Sequence, residues 1–100
     1  MRILSKRTLR EFWESSPDYV NSKGQLEAWH AEVEKADWDT PQDVKAQFRS
    51  ASILKDSRVV FNIKGNDYRL IVKINYPFRI VYVRFVGTHK LYDKIDVENV

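Results

Sequence analysis

The stretch Arg58-Val59-Val60-Phe61-Asn62-Ile63, Lys64-Gly65-Asn66-Asp67, Tyr68-Arg69-Leu70-Ile71-Val72-Lys73-Ile74-Asn75 decides the fold of this 100-residue chain. Both flanks are β-branched and aromatic with a period of 2, and a short polar link containing Gly65 joins them, so two antiparallel strands are expected. Tyr76-Pro77-Phe78 then leads into a third such run, Arg79 to Val86, which completes a three-stranded meander. Alternation sorts these strands into two faces. One face holds Val59, Phe61, Ile63, Leu70, Val72, Ile74, Val81, Val83 and Phe85, all apolar, and must pack on something. The other holds Arg58, Val60, Asn62, Arg69, Ile71, Lys73, Ile80, Tyr82, Arg84 and Val86, with four cations and no acid. Cations set among flat apolar side chains suit a single-stranded nucleic acid, with charge for phosphate and planes for bases.

Upstream of residue 57 the apolar period lengthens to that of a helix. Arg2 to Leu4 can start a strand that pairs with the meander. Ser5 stands as an N-cap before Leu9, Phe12 and Trp13, and Ser16-Pro17-Asp18 ends that helix. Ser22 and Gln25 have the spacing of a capping box, followed by the stripe Leu26, Trp29, Val33 and Ala36. Thr40-Pro41 opens a short third helix through Val44 and Phe48 that ends near Arg49. Trp13, Trp29 and Trp38 fall in this half and are expected to be core or junction anchors. The fold class expected is α+β: a small antiparallel sheet, the three-stranded meander plus an N-terminal strand, with two to three helices packed on one face. Residues 1–100 fit a single domain.

Composition narrows the function classes. With 43% hydrophobic and 31% charged residues, and only three Gly and three Pro, the chain is not a disordered or low-complexity segment. No apolar run is long enough to cross a bilayer, and the opening residues have no apolar stretch of the secretory type, so no membrane partner and a cytoplasmic location are expected. Cysteine is absent, which removes disulfides, thiolate metal sites and cysteine nucleophiles. The charge is uneven: residues 1–50 balance at −1 and residues 51–100 at +4. Between Arg58 and Lys90 seven cations face a single acid, Asp67, which suggests a polyanionic partner.

Two histidines and no clustered acids make a metal site improbable, and Gly65 and Gly87 are too isolated for a phosphate loop. No metal and no cofactor are expected. Metal-free chemistry on RNA remains, in which the substrate's 2′-hydroxyl attacks its own phosphate while the protein moves protons and stabilises charge. Gly87 releases the last strand, and Thr88 can cap a short terminal helix. In such a helix His89, Tyr92 and Asp93 stand at i, i+3 and i+4 and can act together. His30, flanked by Trp29 and Ala31, reads as a helix-surface residue.

Several segments in this order resemble a known family. Val59 to Val72, then Val81-Tyr82-Val83-Arg84-Phe85, then Thr88-His89-x-x-Tyr92-Asp93 are similar to the HigB-type toxins of the RelE-like superfamily. Leu9 to Trp13 and Ala36-Asp37-Trp38 extend the resemblance over nearly the whole chain. Leu91 departs from it, standing where an acidic residue is expected. The resemblance implies a RelE-like fold and the toxin of a type II toxin–antitoxin pair, an endoribonuclease that cleaves mRNA on translating ribosomes. It also implies a cognate helix-turn-helix, HigA-like antitoxin, and operator DNA bound only through the toxin–antitoxin complex. Carried over by position, Arg69 and Arg84 stabilise phosphate or transition-state charge, and His89 and Tyr92 transfer protons. Lys64 and Asp93 are further candidates. Arg58, Asn62, Lys73, Tyr82, Lys90 and Lys94 are the expected RNA contacts. The alternative is a non-catalytic RNA- or ribosome-binding module, and a domain that meets an acidic protein is a third reading.

Overall fold

At the link between the first two long strands, Lys64 and Gly65 both adopt the left-handed region, at φ 53° and 64°. This tight reversal sets Arg58–Ile63 antiparallel to Tyr68–Asn75, with Phe61 opposite Leu70 and Asn62 opposite Arg69. The computed structural model describes residues 1–100. Its order is β1 (Arg2–Leu4), α1 (Lys6–Glu14), a 3₁₀ helix (Pro17–Ser22), α2 (Lys23–Glu34), α3 (Pro41–Gln47), β2 (Ser52–Ile53), β3 (Arg58–Ile63), β4 (Tyr68–Asn75), β5 (Ile80–Thr88) and α4 (His89–Tyr92).

The class is α+β, and the β3–β4–β5 meander forms as its alternation requires. The sheet has five strands rather than four, in the order β1-β5-β4-β3-β2. Ser52–Ile53 supplies the extra edge strand, pairing with Val60 and Val59, and is too short to show a period. β1 joins the opposite edge and runs parallel to β5, with Ile3 beside Val81, so the sheet is mixed.

The helices cover one face. Leu9 and Trp13 of α1, Leu26, Trp29 and Val33 of α2, and Val44 of α3 join the apolar strand residues in one buried cluster. Phe61 sits at its centre, with Trp29 edge-on at 5.4 Å, Phe48 edge-on at 5.0 Å and Trp38 stacked at 6.4 Å between ring centroids. All three tryptophans are buried, as their position in the sequence implies. The Thr40 cap forms a full reciprocal box with Asp43. The box expected at Ser22 and Gln25 does not form. Ser22 is itself helical, the last residue of the 3₁₀ helix, and its hydroxyl donates to the Tyr19 carbonyl at 2.6 Å.

Strict alternation fails in β5. Ile71 pairs with Phe85 but the next residue, Val72, pairs with Val83, which leaves Arg84 as the extra residue of a bulge. Beyond it the parity is reversed. Val86, opposite Leu70, packs against the core, and Phe85, opposite Ile71, turns to the face away from the helices.

That second face is partly covered by the chain itself. Val60 and Ile71 are buried although they lie outside the main core cluster. α4 starts at the Tyr68–Thr88 end of the sheet, whereas Val100 meets Arg58 at the other end, beside Lys73. Residues 93–100 therefore run across β4 towards the start of β3. Arg58 fixes them by donating from Nε and Nη2 to the Val100 oxygen at 3.2 and 3.1 Å, and Lys55 lies 3.7 Å from Glu98.

Candidate active site

The end of β5 builds the site. Thr88 keeps an extended backbone and accepts the Leu91 N–H at 3.2 Å, which starts α4 as its sequence foretells. The His89 N–H donates to the Asp67 carbonyl at 3.3 Å, tying α4 to the β3–β4 turn. One helical turn on, Asp93 Oδ2 lies 3.0 Å from His89 Nδ1. With a carboxylate there, the neutral imidazole carries its proton on Nδ1 and leaves Nε2 with the lone pair. Both side chains are about half exposed.

Arg69 comes from the neighbouring strand. Its guanidinium carbon lies 5.8 Å from the centroid of the Tyr92 ring, and Nη1 donates to the Asn66 carbonyl at 3.2 Å. The preceding residue, Tyr68, anchors this end of β4. Its buried ring meets Phe12 and Tyr19, and its hydroxyl donates to Asn21 Oδ1 at 2.5 Å. Burial, and then the nearby Asp67 charge, hold the Tyr68 phenol above its usual pKa, so it is a neutral tie. Arg69 of β4 thus meets Tyr92 of α4, the short helix that begins with His89 and is followed by its partner Asp93. Lys64 belongs to the same end, 4.0 Å from Asp67 in the turn that holds His89.

Other expected residues are placed differently. Arg84 is the exposed bulge residue and makes no hydrogen bond or ion pair with this cluster. Lys73 and Tyr82 face each other across β4 and β5 and line a cleft of about 320 Å³ with Ser57, Asn75, Tyr76 and Pro77. Asn62, opposite Arg69, donates to the Ser50 carbonyl at 3.3 Å. Lys90 and Lys94 are exposed with no carboxylate within 4 Å. Arg58 does not offer a free charge. It is 7% exposed, bound to Val100 and 3.7 Å from Asp56, because the C-terminal segment closes over it. Arg79 is also occupied, donating to Asp37 at 2.6 Å and to Asp39. The open cationic strip therefore follows β4 and β5 and does not extend over the whole face.

The residues that alternation misplaces are Phe85 and Val86. Gly87 was the available signal, since a lone glycine inside a strand marks a bulge or a close approach. No three carboxylate or imidazole groups gather into a ligand set, and no helix is long and apolar enough to cross a membrane.

Residues 22–95, which include every residue of the cluster, match the family model HigB toxin, the RelE-like toxic component of a toxin–antitoxin system. The mRNA interferase toxin HigB of Escherichia coli strain K12 is 30% identical over 95 residues, 93% of this chain and 88% of that protein. The mRNA interferase HigB of Shigella flexneri matches to the same extent. That of Escherichia coli O6:H1 strain CFT073 is 27% identical over 97 residues, 95% of this chain and 91% of the relative.

Proposed function

This chain belongs to the HigB family of RelE-like toxins, and on that premise we propose that it is an endoribonuclease that cleaves mRNA on the translating ribosome. The observation that supports this reading is Arg69 over the ring of Tyr92, on the same short helix that begins with His89 and its partner Asp93. In the reaction the substrate's 2′-oxygen forms a bond to the adjacent phosphorus and its proton leaves. The bond from phosphorus to the 5′-oxygen breaks, and that oxygen takes up a proton. The products are a 2′,3′-cyclic phosphate and a free 5′-hydroxyl. Arg69 stabilises the charge that builds on the phosphoryl oxygens, and preorganised charge of this kind commonly lowers the barrier more than any other single effect. His89 moves a proton through Nε2 while Asp93 holds the ring, and the Tyr92 hydroxyl is the second proton-transfer group. Lys64 adds positive charge at the turn, and Arg84, Lys90 and Lys94 engage the flanking backbone of the message.

Family membership supports a cognate antitoxin as partner, of the helix-turn-helix class, with operator DNA engaged only through the toxin–antitoxin complex. The test is a translating extract in which new 5′ ends are mapped on a message. Wild type produces discrete ends, and Arg69→Ala and His89→Ala abolish them while their thermal unfolding stays cooperative. Intact message at an inhibitory dose, equally for wild type and both variants, refutes the reading in favour of a non-catalytic ribosome-binding module.

A further inference from the structure

We infer that Phe85 is a base-stacking platform that holds the nucleotide next to the phosphate gripped by Arg69; this rests on the RNA-cleaving reading above. The bulge at Arg84 turns Phe85 onto the face away from the helices, where it stays partly exposed. Its ring extends along β5 over Gly87. A Cβ built on Gly87 would stand 2.6 Å from the Phe85 Cζ and 3.2 and 3.3 Å from its two Cε atoms. Gly87 is the cross-strand partner of Arg69. The ring end therefore lies beside the backbone paired with Arg69, whose guanidinium in turn lies over the Tyr92 ring.

The ladder sets the spacing. Along this face the cross-strand pairs are Arg69 with Gly87, then Ile71 with Phe85, then Lys73 with Tyr82. Each step of two residues advances about 7 Å along a strand. An aromatic plane thus stands one step from Arg69, and a second, Tyr82, stands one step further beside an ammonium that no carboxylate neutralises. Alternate cation and aromatic positions are what a single strand needs, because every base has a π face and every nucleotide a charge. A partly exposed phenylalanine thus lies over a glycine, one step from Arg69 and one step from Lys73 along the same face. Gly87 has an ordinary backbone conformation, so its value here is the space above it, which the ring occupies.

The test uses fluorescence anisotropy with the full chain and a labelled single-stranded RNA that carries a 2′-deoxy residue at the mapped cleavage site. An abasic nucleotide is walked along that RNA one position at a time. Phe85→Leu binds the intact RNA about tenfold more weakly, within the range of one lost base–aromatic stack, and Phe85→Tyr restores binding. Gly87→Ala reproduces the loss by displacing the ring, and adds nothing in a Phe85→Leu background. At one position beside the cleavage site the abasic RNA weakens wild type about tenfold and leaves Phe85→Leu unaffected. Equal weakening of Phe85→Leu on intact and abasic RNAs, or no weakening at all, overturns the inference. Wild type that shows the stacking pattern yet leaves an all-ribose message intact in the translating extract sinks the nuclease reading and leaves the platform standing. Cleavage with binding indifferent to Phe85 does the reverse.

Discussion

His89 and Asp93 are both exposed, so their pairing orients the ring more than it stabilises the protein. Their removal should therefore separate in size. If His89 transfers a proton as proposed, His89→Ala is expected to lower the cleavage rate by about 10²–10⁴. Asp93→Asn keeps a hydrogen-bond partner of the same shape, and a loss of about tenfold is expected in single-turnover cleavage. Equal losses in the two variants would mean that Asp93 itself handles a proton. Arg69 depends on neighbours of a different kind. Its guanidinium is placed by a carbonyl at Asn66 and a ring at Tyr92, with no carboxylate to neutralise it, and its charge stays available to a phosphate.

Among the elements, α2 carries a titration that the site does not use. Burial, the largest influence, holds the His30 pKa below its ordinary value; Glu34 opposes this and Lys6 adds to it. The unfolded chain then takes up the proton more readily than the folded one. The contribution of neutral His30 is complete above pH 6.5 and is lost as the pH falls below that value. Urea midpoints at pH 7.5 and 5.5 check this: wild type loses stability on acidification, and His30→Gln loses less. The helices and the meander were legible because their signals are local, such as Thr40 before Pro41, the Gly65 turn, and Thr88 ahead of His89, Tyr92 and Asp93. The pairing of β1 with β5 was not, because nothing near Ile3 specifies Val81 as its neighbour. The bulge was hidden for a related reason. Val83, Arg84, Phe85 and Val86 read as smooth alternation, Gly87 is the one local hint of a bulge, and the partner strand is needed to locate the extra residue. Arg69 could be nominated from the sequence, but its meeting with Tyr92 depends on the register of β4 with β5, which no spacing along the chain encodes.

At the scale of the whole molecule, the sheet has a second, smaller buried layer beneath residues 93–100. Ile71 is fully buried on the face opposite the helices, and Ile71→Ala is expected to cost about 2–5 kcal/mol, as much as a substitution in the main core. Chemical denaturation measures it, and a loss below about 1 kcal/mol would show that the covering segment is loosely held. The same segment removes Arg58 from the cationic surface, and Asp37 and Asp39 remove Arg79. If roughly four phosphates are neutralised by the remaining cations, the log–log dependence of single-strand RNA affinity on salt should have a slope of about −2.8. The edge position of β1 bears on how the protein is made. Synthesis delivers β1 first, yet its only neighbour in the sheet is β5, near the opposite end of the sequence. Such long-range closure comes late in folding. A growing polypeptide still lacking β5 has neither the finished sheet nor the cluster mounted on it, and both wait until residues 80–88 have been added.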